Sequence, residues 1–165
     1  MESVTGFAAY LALYLSVVTG IGLSSRWGRR RLVRLRLGGS HEALSLCGLA
    51  LGIMHAMGSR LVWAVPFLAP SPGMAVGGLA LDLGAVVTVS FYLRRRLGSP
   101  AWRWVHALAY PAFAFAAWHA LAVGANAWIG GVEVSYAATL GSVGALALLR
   151  VGEALRRGRR LSPTA

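Results

Sequence analysis

The chain has 165 residues, of which 57% are hydrophobic and 13% are charged, and its mean hydropathy is +0.63. This composition excludes a water-soluble domain, because the apolar runs approach the roughly 20 residues that a helix needs to cross a bilayer. All sixteen basic residues are arginines, and the net charge is +11. The arginines cluster at the ends of apolar runs, so membrane lipid rather than nucleic acid is the expected partner.

Five apolar segments predict an all-α membrane protein, a bundle of about five transmembrane helices in a single domain over residues 1–165. The first segment lacks the basic start of a cleaved signal peptide, so we expect it to remain as a helix. No glycine-rich nucleotide-binding fingerprint occurs, and we therefore expect no soluble flavin or nucleotide domain. The predicted helices, in chain order, cover about residues 4–23, 40–65, 75–93, 100–124 and 134–149.

Local start signals set two of these boundaries. Gly38-Gly39 is predicted to end a basic loop, and Ser40 is a favoured N-cap for the second helix, with Glu42 in its first turn. Gly98-Ser99-Pro100 is predicted to supply a turn, an N-cap and a proline at the first position of the fourth helix. Both helices that start in this way carry two histidines.

The arginines also predict how the chain is oriented in the cell membrane. Fifteen of the sixteen fall on one side of the predicted bundle, and Arg60 alone falls on the other. By the positive-inside rule, this multi-pass protein has its N-terminus outside and its C-terminus in the cytoplasm. The second and fourth helices then both run from the cytoplasmic side to the outer side.

These two helices carry all four histidines of the chain. His41 and His55 are fourteen residues apart, a rise of about 21 Å, and His106 and His119 are thirteen apart, about 19.5 Å. Two histidines on one helix are therefore too distant to share a metal, and each is expected to pair with the histidine at its own depth on the other helix. The predicted pairs are His41 with His106 on the cytoplasmic side and His55 with His119 on the outer side.

Two imidazoles at each depth favour haem over a bare metal ion. A structural zinc site takes four ligands, and no cysteine, aspartate or third histidine is available at either depth. Haem brings four nitrogens of its own and needs only axial ligands. No C-x-x-C-H motif is present, so the prediction is two non-covalently bound haems between helices two and four. The structural alternative is that an intramembrane histidine merely hydrogen-bonds a neighbouring helix.

The two spacings differ in how well they suit stacked cofactors. Fourteen residues return to within about 40° of the same helix face, whereas thirteen fall about 140° short in an ideal helix. Pro111 lies between His106 and His119, and a proline inside a helix kinks or locally rewinds it. A kink at Pro111 is therefore our hypothesis for how both histidines face the second helix.

The fourth helix also resembles the second haem helix of the ferric reductase-like transmembrane domain, in which a basic stretch precedes W-x-x-x-H-x-x-x-Y and a further histidine. Trp102, His106, Tyr110 and His119 match those positions, and His41 to His55 looks like the first haem helix. NADPH oxidases, ferric reductases and the membrane subunit of the methionine sulfoxide reductase system share this core. The resemblance implies two b-type haems and electron transfer across the membrane, with the inner iron on the first histidine of each helix and the outer iron on the second.

Two departures limit what the resemblance implies. The family core usually has six helices, whereas five are counted here, and many members continue into flavin- and NAD(P)H-binding domains. The chain then resembles an electron-transfer subunit of an oxidoreductase that is not self-sufficient. Its donor would be a separate flavoprotein or quinol, so that a partner supplies flavin or quinone, and its acceptor on the outer side stays open. The alternatives are the haem-binding membrane subunit of a periplasmic methionine sulfoxide reductase system and, in another class, a haem-free membrane transporter or scaffold.

Five further residues have predicted roles. Arg60 and Arg103 are candidate propionate contacts for the outer and inner haem, although arginines at helix ends are also topology signals. Asp82, inside the third helix, is expected to pair with Arg60, and the alternatives are proton transfer near the outer haem and a protonated carboxyl with a structural role. Cys47 is expected to be a small buried residue. Tryptophans near helix ends, among them Trp102, are typical of an interfacial belt.

Overall fold

A computed structural model of the chain describes residues 2–25, 31–58, 65–124 and 130–161. Within these residues, five helical spans are long and apolar enough to cross a membrane, which confirms the predicted all-α fold with about five helices of membrane-spanning length. The fourth span is divided into two helices by a break at Leu108. The elements are α1 (Glu2–Ser24), α2 (Arg31–Gly58), a 3₁₀ turn (Pro66–Leu68), α3 (Pro72–Leu97), α4 (Ser99–Ala107), α5 (Ala109–Val123) and α6 (Val132–Leu161).

The second helix starts earlier than the sequence signals predict. α2 begins at Arg31, and Gly38-Gly39 lies inside it, so the prediction of a helix start at Ser40 is wrong. The Ser40 hydroxyl donates instead to the Arg36 carbonyl at 3.1 Å, which is how a serine bonds within a helix. Each interior glycine costs about 1 kcal/mol relative to alanine, and the leucines and arginines on either side, which are good helix formers, offset that cost.

The starts of α3 and α4 depend on different groups. The Ser71 hydroxyl oxygen accepts the Met74 N–H at 3.3 Å and caps α3, with Pro72 in the first turn. α4 begins at Ser99, and Gly98, with φ of 75°, takes the N-cap position that was predicted for Ser99. Because glycine adopts a positive φ without steric cost, the chain turns at Gly98 directly from the end of α3 into α4.

The last helix continues beyond its apolar part. α6 ends at Leu161, well past the predicted end at residue 149, which marked the limit of the apolar run rather than the limit of the helix. Arginine, leucine and glutamate are good helix formers and extend it. Arg150 and Glu153 also form an ion pair at 3.5 Å, one turn apart on this helix.

Two antiparallel helix pairs supply most of the packing, since α1 lies along α2 and α3 lies along α5. Gly48 of α2 allows a close approach to α1, because a Cβ at that position would lie 3.3 Å from the Leu13 nitrogen. α2 and the α4–α5 span make at most marginal backbone contact within the described residues. The space between those two spans is bridged by side chains, which include the histidines.

An aromatic core joins α1, α5 and α6. Phe113 of α5 is only 1% exposed, and Tyr10 of α1 stacks on it with the ring centroids 5.4 Å apart. Tyr136 of α6 meets Tyr10 edge-on at 4.7 Å. The Tyr14 and Ser142 hydroxyls form a hydrogen bond of 3.1 Å between α1 and α6, so the core also satisfies polar groups inside an apolar bundle.

Cys47 points out of the bundle, and the prediction that it is buried is wrong. It lies on the same helix face as Met54, seven residues later, whose side chain is 58% exposed. The reason is that α2 packs chiefly along one side, against α1. Its opposite apolar face is left exposed, as is expected of a helix that contacts lipid.

Candidate functional site

The four histidines meet in two pairs between α2 and the α4–α5 span. The ring centroids of His41 and His106 are 6.0 Å apart, and the two ring planes are inclined by 82°. The ring centroids of His55 and His119 are 6.1 Å apart, with an inclination of 70°. The structure therefore brings together the same residues that the depth argument paired. Because residue 41 faces 106 and residue 55 faces 119, α2 and the α4–α5 span run in the same direction.

The α4–α5 span is interrupted at Leu108, between the two histidines that both reach α2. The Leu108 N–H donates to the Val105 carbonyl at 3.1 Å, one residue closer than in an α-helix. Pro111 has no N–H to donate to the Ala107 carbonyl, and its ring collides with that carbonyl in a regular helix. His106 and His119 therefore lie on two separate helices, and the mismatch of about 140° for one continuous helix does not apply.

Two of the imidazoles have their Nδ1 atoms held by backbone carbonyls. His41 Nδ1 lies 2.9 Å from the Ser16 carbonyl oxygen, and His119 Nδ1 lies 2.9 Å from the Gly73 carbonyl oxygen. A carbonyl only accepts hydrogen bonds, so Nδ1 carries the proton in both rings and Nε2 keeps its lone pair. This is the usual way in which a protein orients a histidine that ligates a metal.

Hydroxyl groups add to the support of His41. The hydroxyl oxygen of Ser16, a buried residue, lies 3.2 Å from His41 Nδ1 and 2.7 Å from the Ser45 hydroxyl oxygen. The Ser45 hydroxyl in turn donates to the His41 carbonyl at 2.8 Å. This network fixes α1 against α2 at the depth of His41. The sequence analysis did not identify Ser16, because its role follows from the packing of α1 along α2.

Trp102 supports the other ring of the same pair. Its indole stacks on His106, with centroids 5.0 Å apart and planes inclined by 26°. Trp102 Nε1 and His106 Nδ1 are both buried, and neither has a hydrogen-bond partner in the part of the chain that the structure describes. Trp102 was predicted to belong to an interfacial belt, whereas the structure packs it against a histidine of the site. Buried polar groups without partners are rare, so these two atoms are an unusual feature of this end of the site.

The separation within each pair fits two imidazoles on opposite sides of one metal ion. Metal–imidazole bonds of about 2 Å on each side place the two ring centroids about 6 Å apart. Within the described ranges, no group of three or more histidine, cysteine, aspartate or glutamate side chains is placed to hold a metal ion. Each pair thus offers two ligands, which is the number of axial positions in a haem with four nitrogens of its own.

The remaining candidate residues are less closely associated with the pairs. Arg60 lies outside the described residues, so its predicted contacts with the outer haem and with Asp82 stay predictions. Asp82 is exposed on α3 and has no hydrogen bond or ion pair within the described ranges. Arg103 is exposed on α4 and lines a shallow surface depression with Pro100 and Trp104.

Comparison with known proteins gives a family without an assigned activity. No curated protein and no solved structure matches the chain. Residues 1–126 match the family described as Domain of unknown function (DUF8596), and this match covers α1 to α5 with all four histidines. The match extends over most of the 165 residues. The chain therefore belongs to the DUF8596 family.

Proposed function

We propose that this chain is a membrane cytochrome that holds two b-type haems and carries electrons across the bilayer between them. The observation that supports the proposal most strongly is the presence of two histidine pairs with centroid separations of 6.0 and 6.1 Å. On α2, and likewise along the α4–α5 span, the two histidines differ in depth by about 20 Å, a large part of the hydrocarbon thickness. Such a pair of sites suits stepwise electron transfer from one membrane face to the other.

The arrangement favours ligation over a purely structural role for the histidines. An intramembrane histidine that only stabilises packing is expected to bond the helix on which it packs. His41 and His119 do bond their packing neighbours, α1 and α3, but they use Nδ1 for this and leave Nε2 available.

In this proposal the residues of the chain position the two haems and determine the environment around them. His41 and His106 would hold the inner haem, and His55 and His119 would hold the outer haem. The apolar spans exclude water, and the hydrogen bonds to Nδ1 strengthen the imidazoles as ligands, which are the means by which a protein sets a haem potential. When bound, haem supplies one-electron iron chemistry.

The arginine distribution suggests the direction of transfer. With the cytoplasmic face at the arginine-rich end, electrons enter near His41 and His106 and leave near His55 and His119. The donor in this proposal is a separate flavoprotein or quinol. The acceptor lies on the outer side.

The proposal is tested by electron transfer across a sealed membrane. Haem-loaded protein is placed in vesicles that contain ferricyanide, and a reductant that cannot cross the bilayer is added outside. We expect ferricyanide reduction with the unmodified chain and with Tyr14→Phe, a control that removes only a hydroxyl bonded to Ser142. His55→Ala is expected to abolish the reaction. Equal rates with and without His55 would contradict the proposed path.

A further inference from the structure

Two glycines of α1 lie against two of the histidines of α2. Gly6 is opposite His55, and a Cβ at Gly6 would lie 3.0 Å from His55 Cε1. Gly20 is opposite His41, and a Cβ there would lie 3.0 Å from His41 Cε1. The glycines are fourteen residues apart, as the histidines are, so the antiparallel packing of α1 along α2 places one glycine at each ring.

The α3–α5 pair repeats this arrangement at His119. A Cβ at Gly77 would lie 2.7 Å from both Cγ and Cε1 of the His119 ring, a distance that a real side chain does not reach without a shift. The ring cannot retreat freely, because its Nδ1 is bonded to the Gly73 carbonyl at 2.9 Å. Gly77 is therefore the position at which an added methyl group disturbs a ligand ring most.

Resting on the proposed function, we infer that Gly6, Gly20 and Gly77 are positioning residues for the axial histidines. The missing Cβ atoms let the imidazoles lie against α1 and α3, and this position leaves the rings of each pair about 6 Å apart, as two bonds of about 2 Å require. An alanine displaces the ring from its place opposite its partner. Haem binding then weakens although every histidine is still present.

The residues that lie against the histidine rings differ between the inner and the outer pair. The inference therefore predicts which haem each glycine substitution affects. Both rings of the outer pair lie against a glycine, namely His55 against Gly6 and His119 against Gly77. In the inner pair, His41 lies against Gly20, whereas His106 is stacked on Trp102. Alanine at Gly6 or Gly77 is thus expected to affect the outer haem, and alanine at Gly20 the inner haem.

Other glycines of the bundle provide matched controls. Gly84 lies on α3, seven residues from Gly77, and a Cβ there would have no atom within 4 Å. Gly48 lies on α2, and its Cβ would meet α1 backbone and the Ala12 methyl group rather than an imidazole. Gly84→Ala tests the effect of an added methyl group on α3 itself, and Gly48→Ala tests the effect of disturbed helix packing.

The experiment compares the full-length chain with these single variants after haem reconstitution. It measures haem per chain, the electron paramagnetic resonance signals of the ferric low-spin haems, the midpoint potentials and the far-ultraviolet circular dichroism. We expect Gly77→Ala to fall from about two haems per chain to about one, with helicity unchanged, since one pair can no longer supply both axial ligands. The haem that it loses should be the one that His55→Ala loses. Gly20→Ala should change the other haem.

Two results would overturn the inference. One is a Gly77→Ala chain with the haem content, spectra and potentials of the unmodified protein. The other is an equal loss in Gly84→Ala. If Gly77→Ala does not fold, Gly6→Ala decides, because its milder contact of 3.0 Å is expected to shift the signal and potential of the outer haem while Gly48→Ala does not shift them. Retention of both haems when the histidines are replaced would instead refute the proposed function.

Discussion

The break before Pro111 is expected to be necessary for the binding of two haems. In Pro111→Ala the new N–H can donate to the Ala107 carbonyl, and the clash between the proline ring and that carbonyl disappears. The gain for a continuous helix is about 3 kcal/mol, the difference between proline and alanine in a helix interior. A continuous helix turns His119 away from the face of His106 by about 140°. Only one of the two histidine pairs can then form unless this continuous helix is broken again.

The expected loss of affinity follows from that energy. If haem binding must rebreak a helix that is favoured by about 3 kcal/mol, its affinity at one site falls by about a hundredfold, at 1.4 kcal/mol for each factor of ten. The assay is a haem titration of the haem-free protein, followed by absorbance at the Soret band. Pro100→Ala is the control, because a proline in the first turn of a helix is tolerated and its removal should leave both affinities unchanged. Two unchanged binding steps in Pro111→Ala would refute this explanation of the spacing.

Three further predictions concern single groups around the inner pair and the electron source. Ser16→Ala should lower the free energy of unfolding by about 1 kcal/mol, measured by denaturant titration, because it removes the hydroxyl bond to Ser45 but keeps the carbonyl bond to His41. Trp102→Phe should keep the inner haem and Trp102→Ala should weaken its binding, measured by haem titration, because only phenylalanine preserves an aromatic ring on His106. The haem-loaded chain alone should not be reduced by NADPH, whereas dithionite should reduce it, since a hydride donor needs a flavin to deliver single electrons. Rapid absorbance changes with NADPH alone would contradict the last expectation.

The main elements of the fold could be predicted from the sequence because they depend on local composition. Apolar runs of spanning length identified the five helical spans, and a rise of 1.5 Å per residue placed His41 level with His106 and His55 level with His119. These inferences need no knowledge of how the helices pack. The start of α2 was missed because the glycine pair looks like a breaker locally, whereas the flanking helix formers carry the helix through it.

The support of the ligands could not be predicted in the same way. Ser16, Gly73 and Gly77 act on histidines that are far away in sequence, and which atoms meet depends on the register between two packed helices. The sequence contains one sign of this register, since Gly6 and Gly20 have the same spacing as the histidines that they face. The equal spacing indicates contact between these residues only when α1 is known to lie antiparallel along α2. The position of the helix break at Leu108 likewise could not be predicted, because a proline indicates that its helix is broken but not at which residue or with what geometry.

The pairing of the histidines across the two spans is tested most directly by haem content in four single variants. Each histidine is replaced by alanine, the chains are reconstituted with excess haem, and the haem that remains is counted and identified by its low-temperature spectrum and midpoint potential. We expect about two low-spin haems per unmodified chain, because each pair supplies both axial ligands of one haem. His41→Ala and His106→Ala should lose the same haem, and His55→Ala and His119→Ala should lose the other. Loss of one and the same haem from His41→Ala and His55→Ala would contradict the pairing.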